Sequence, residues 1–176
     1  MNKSLYVGLA IACSSLSVHA QAGHNGINFT TTQKQLEAKG FVCNPPEKKQ
    51  DYITAECVHM DMTGIAFGYP TKDYEISIDP LKRVAWIKAE LTGLRSMADF
   101  FELHGKIEKF FPSKDEQGTH RGQGHYTRDA WRAKNNAGLS LFFSQGIPPL
   151  TKTRMSVTFY SPNSMADTDK IRAEGK

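Results

Sequence analysis

Six histidines and three cysteines are the side chains of this 176-residue sequence best suited to proton transfer, nucleophilic attack or metal binding. Their spacing selects no chemistry. GxSxG, HExxH, SxxK, CxxC, the Walker loop and GxGxxG are all absent. Asp61, Asp99 or Asp129 would complete an acid–base pair with His24, His59, His104, His120 or His125, but nothing in the order of residues picks one pair. His104 falls within a helical apolar stripe, where a hydrogen-bonded boundary histidine is the expected outcome. No catalytic residue, metal-ligand set or cofactor is assigned.

The cysteines are read through the N-terminus. Met1-Asn2-Lys3 is a short positive start, Ser4 to Val18 an apolar run, and Ala20-Gln21-Ala22 a small-x-small cleavage site. The run is shorter than the roughly 20 residues of a spanning helix, so residues 1–22 are expected to be a secretory signal peptide. A membrane anchor and lipidation at Cys13 rank below soluble export to the periplasm or medium, since no stop-transfer run follows and the lipobox lacks its leucine. Cleavage removes Cys13 and leaves Cys43 and Cys57 with only each other to pair with in an oxidising compartment. A structural disulfide is expected. His59, two residues beyond Cys57, shares its strand face but lacks further ligands for a metal.

Pro112 to His125, PSKDEQGTHRGQGH, is the most unusual stretch, with Gly118, Gly122 and Gly124 among His120, Arg121 and His125. It is expected to be an exposed mobile loop whose Lys114, His120, Arg121 and His125 bind a partner, the arginine fork meeting a carboxylate. The plainer readings are a solvated connection or a two-histidine metal loop, the latter short of ligands. The sequon Asn28-Phe29-Thr30 matters only in a host that glycosylates exported proteins.

The positioning elements follow from periodicity. Thr32-Gln33-Lys34-Gln35 is a capping box for a short helix that Gly40 ends, with Leu36 set to touch Phe41. Asn44 to Asp51 is a polar loop containing Pro45 and Pro46. Alternation then marks strands through Ile53-Ala55-Cys57, Tyr74-Ile76-Ile78 and Ala85-Ile87-Ala89-Leu91, with Gly64 to Tyr69 a short strand ended by Pro70 and Asp79 to Lys82 a turn. Ser96, with Asp99 three residues on, opens a long helix that ends before Pro112. Its stripe of Met97, Phe100, Phe101, His104, Ile107 and Phe111 is expected to be core. Tyr126 to Trp131, Leu139 to Phe143 and Met155 to Tyr160 complete a second strand set, with Asn135 to Gly138 as a turn.

The fold class is therefore α+β: antiparallel meanders with one long and one short helix on one face, possible halves 30–93 and 94–160 within a domain 23–160, and a polar tail 161–176. Gln33 to Gly40 followed by Cys43 and Cys57, then Ser96 to Phe111 followed by three strands, resembles the helix-plus-meander architecture of beta-lactamase-inhibitor-protein-like exported inhibitors. That resemblance implies a surface that binds another protein. Composition agrees with a globular chain: 39% hydrophobic residues, mean hydropathy −0.47, and 22 basic residues interspersed with 18 acidic ones rather than striped for nucleic acid. The expected function is that of a non-catalytic inhibitor or immunity-type protein with one protein partner, an envelope enzyme or toxin. The alternatives are a small envelope hydrolase or an envelope-assembly module. No nucleic acid and no stable membrane span after cleavage are expected.

Overall fold

The computed structural model describes residues 24–47, 52–109, 113–121, 125–133, 136–146 and 152–164. Within them lie two complete helices, α1 (Gln33–Glu37) and α2 (Met97–Glu108), a helical turn at 162–164, and nine strands. Each helix starts at the box read from its sequence. The Thr32 hydroxyl accepts from the Gln35 N–H while the Gln35 side chain accepts from the Thr32 N–H at 2.8 Å, and Ser96 and Asp99 repeat the arrangement. Gly40, at φ +92°, turns the chain out of α1, and the Phe41 N–H donates back to the Leu36 carbonyl at 3.1 Å.

The strands are β1 (Val42–Asn44), β2 (Ala55–His59), β3 (Gly64–Ala66), β4 (Tyr69–Ile78), β5 (Val84–Leu91), β6 (Ser113–Arg121), β7 (His125–Arg132), β8 (Gly138–Gln145) and β9 (Arg154–Tyr160). They form one antiparallel sheet in the order β1-β2-β4-β5-β9-β8-β7-β6, with β3 paired to β4. Two meanders thus join along β5 and β9, where Trp86 stands opposite Tyr160 and Ile87 opposite Phe159. The mixed α+β class is as the periodicity required.

One sheet face is the core. Cys57, Ile76, Ile87, Phe159, Leu139 and Trp131 occupy successive strands in direct register, and they cluster with Leu36 of α1 and Phe100, Leu103 and Ile107 of α2. Burying this continuous row on both helices is the main driving force of the fold. Cys43 and Cys57 are cross-strand partners and form the disulfide. Reduction-proof removal by Cys57→Ala should cost about 3 kcal/mol in the chain-entropy picture for a 14-residue separation, read as a lower denaturant midpoint, because the three-residue β1 then rests on few other contacts.

The structure corrects four readings. Ser113 to Arg121 is not a loop but strand β6, paired with β7 from Ser113↔Arg132 to Arg121↔His125. Its residues offer no apolar alternation, so its strand state is set by pairing rather than by its own composition. Phe101 is not core: it is 59% exposed and stands edge-on to the fully buried Phe100. Consecutive helical residues lie about 100° apart, so the stripe has room for only one of the two rings. Pro70 does not end a strand. Ala66 and Tyr69 flank a two-residue turn, Phe67 and Gly68, both at positive φ, and β4 runs on through Pro70, whose carbonyl accepts from the Thr92 N–H. Finally, a bulge at Ala85 places Val84 rather than Ala85 opposite Ile78 in the inner row.

Candidate protein-binding face

α1 and α2 pack on one side of the sheet, and neither covers the other, open side. Strand alternation puts Glu56 and Val58 of β2, Glu75 and Ser77 of β4, and Trp86, Lys88 and Glu90 of β5 on it. Ser156, Thr158 and Tyr160 of β9, Ser140 and Phe142 of β8, and Tyr126, Arg128 and Ala130 of β7 continue the same face. Its middle is built of small residues, Gly138, Ser140, Ala130, Ser156 and Thr158, all buried. Aromatic rings flank them. Trp86 and Tyr160 face each other across β5 and β9, and Tyr126 packs on Phe142 with centroids 5.8 Å apart.

The Tyr160 ring lies across β8 toward β7. Its hydroxyl is 3.3 Å from the Ser140 hydroxyl and accepts from the Arg128 guanidinium at 3.2 Å, an arrangement made possible by Gly138 directly opposite it. Arg128 is thereby held against the face. Lys88 and Glu75 pair across β4 and β5 at 2.8 Å. Trp86, Phe142 and Tyr160 each keep part of their surface in solvent, and Tyr126 is exposed. Ordered aromatic rings beside small polar residues are the composition of protein interfaces, because they bring large contact area at low entropic cost.

Three described histidines, His24, His59 and His104, sit on the other side, each against a neighbouring side chain. His104 of α2 directs Nε2 at Asp129 Oδ2, 3.2 Å away, and at Glu108 Oε1, 3.5 Å away, with its ring 5.3 Å from that of Trp131. Asp129 is 1% exposed, so this contact joins helix to sheet inside the core edge. Trp131 Nε1 finds no acceptor among the described residues. His24 is buried, hydrogen-bonded to the Tyr74 hydroxyl at 2.8 Å and stacked on Tyr74 and Phe159. Burial pushes the Tyr74 phenol above its usual range, with the Thr71 hydrogen bond acting the other way. A Cβ at Gly64 would come within 2.5 Å of that hydroxyl, which explains glycine there. His59 packs edge-on to Phe41. Among the described residues no cluster of three or more His, Cys, Asp or Glu is placed to hold a metal.

A surface clamp ties the β3–β4 hairpin to α2. The Tyr69 hydroxyl donates to Glu102 at 2.7 Å and accepts from Lys106 at 2.6 Å, while Lys106 meets Glu102 at 2.8 Å. The Lys106 hydrogen bond, followed by that of Tyr69, holds the Glu102 carboxyl below the usual carboxylate range, and Glu102 first and Tyr69 second raise the Lys106 ammonium. Glu102 therefore contributes above the usual carboxylate range and loses its contribution as pH falls through the lowered value. Lys106 contributes below the usual lysine range and loses its contribution as pH rises through the raised one. In Glu102→Gln the melting temperature should fall at neutral pH and match the parent in acid, a difference checked by thermal scans across pH.

The residues read as a recognition loop are placed by strand register. Lys114 stands opposite Trp131, His120 opposite Tyr126, and Arg121 opposite His125. Residues 122–124 lie outside the described residues. No motif in the sequence marks the open face; its signal is the set of aromatics, Trp86, Phe142 and Tyr160, at the positions alternating with core. No family model, curated protein or solved structure matches this chain.

Among the described residues no helix is long and apolar enough to cross a membrane. The disulfide is of the kind that oxidising, extracytoplasmic compartments sustain.

Proposed function

We propose that the chain is exported after loss of residues 1–22 and works as a non-catalytic protein-binding protein, an inhibitor or immunity-type partner of an envelope enzyme or toxin. The observation that carries this reading is the open sheet face, where Trp86, Tyr160, Phe142 and Tyr126 reach solvent around a floor of small residues. Lys114, His120, Arg121 and His125, carried by the outer strand β6 and the start of β7, are retained as further contacts to the partner. Edge pairing is the weaker route to a partner. The outer strand β6 carries Lys114, Asp115, Glu116 and Arg121, and the opposite edge β1 is three residues long, both being ways in which sheets discourage strand addition.

The test is capture from an envelope extract with the exported chain, whose intact mass should lack residues 1–22 and two hydrogens. The expected result is one stoichiometric enzyme partner whose activity falls on binding, with Arg121→Ala weakening capture. A structural partner whose activity is unaffected favours assembly instead. Failure to capture any partner reopens a hydrolase, for which the described residues offer the His104–Asp129 contact.

A further inference from the structure

The open face is polarised in charge. On β2, β4 and β5 it carries Glu56, Glu75 and Glu90, with Lys88 already paired to Glu75 and Lys72 paired to Asp73. On β7, β8 and β9 every described charged residue of this face is basic: Arg128, Arg132 and Arg154. The boundary between the halves is the β5–β9 pair at the middle of the sheet.

From this we infer that the face is self-complementary and that two copies of the chain associate through it, related by a two-fold axis running along the β5–β9 boundary. Such an axis lays β9 of one copy over β5 of the other, β8 over β4 and β7 over β2, at unchanged height along the strands. Acidic half then meets basic half twice, as an isologous contact requires. The row that holds Trp86, Tyr160, Glu56 and Arg132 brings Trp86 over Tyr160 and Glu56 over Arg132. Glu90 comes to rest over Ser156, one row, about 7 Å, from Arg154. Both are long, solvent-reaching side chains able to bridge the roughly 10 Å between packed sheets. The alternative axis, across the strands, would set like charges against each other and is disfavoured.

The area is adequate. Eight strands at about 4.8 Å spacing and about 25 Å in length give on the order of 800 Å² per copy, the size of a standard stable interface. The Trp86–Tyr160 contact supplies a central aromatic pair on the axis, and the three-residue edge β1 and the charged edge β6 discourage pairing through the sheet edges. This goes beyond the proposed function: a foreign partner on the same face would have to displace the second copy.

Sedimentation of the purified, disulfide-bonded exported chain, from low to high micromolar concentration, tests the inference without any partner. A concentration-dependent dimer is expected. Arg154→Glu and Glu90→Lys should each weaken it at least about tenfold, because each sets like charges together twice, and mixing the two variants should restore association to the parental level. A monomer at every concentration, a dimer indifferent to both reversals, or a mixture no tighter than its components would each overturn the proposal. Should either reversal lower the melting temperature, Arg154→Gln and Glu90→Gln serve in its place with the same signs for the single variants. Dimerisation without capture of an envelope protein would retain this inference and refute the inhibitor reading; capture by a strict monomer would do the reverse.

Discussion

Phe100→Ala is expected to lose about 3 to 5 kcal/mol in equilibrium denaturation, whereas Phe101→Ala, one residue away on the same helix, should melt like the parent. Phe100 is fully buried between α2 and β8, with Phe143 at 6.2 Å, and its removal deletes transfer energy and leaves a cavity that a close-packed sheet cannot fill. Phe101 keeps most of its surface in water and has only its edge against Phe100. Equal losses from the two would mean that α2 is rotated on the sheet, and with it His104 away from Asp129.

The second large effect concerns that histidine. His104→Ala should cost about 3 kcal/mol, because Asp129 is a nearly fully buried carboxylate that would lose its helix partner. The figure sits at the low end for a buried pair since the His104 side chain is itself 17% exposed. His104→Leu combined with Asp129→Leu should recover most of the loss, as apolar replacements of both partners usually do. The double-mutant cycle built from His104→Leu, Asp129→Leu and the pair of them measures the coupling of the two side chains in the fold.

Much of the fold was legible because local and long-range signals agreed. The Thr32–Gln35 and Ser96–Asp99 boxes, Gly40 at the left-handed position and the Cys43–Cys57 pair each state their geometry in a few residues. β6 was illegible for the opposite reason. SKDEQGTHR carries no apolar period, and only its register with β7 makes it a strand. The His104–Asp129 contact links residues of different elements, which no local pattern can announce. The open face was hidden among positions that read as solvent-facing, since Ser140, Ser156 and Thr158 look like ordinary polar alternation until Trp86, Tyr160 and Phe142 are seen to flank them.

The central claim, recognition through the open face, is tested most directly by comparing capture of the envelope partner by Phe142→Glu and Leu81→Glu. Phe142 is a partly buried ring of the face, packed on Tyr126, while Leu81 is 70% exposed in the turn between β4 and β5. Phe142→Glu should weaken capture at least about tenfold, as loss of an aromatic contact residue and burial of a new charge do, and Leu81→Glu should capture as the parent does. Undiminished capture by a folded Phe142→Glu chain would contradict the account.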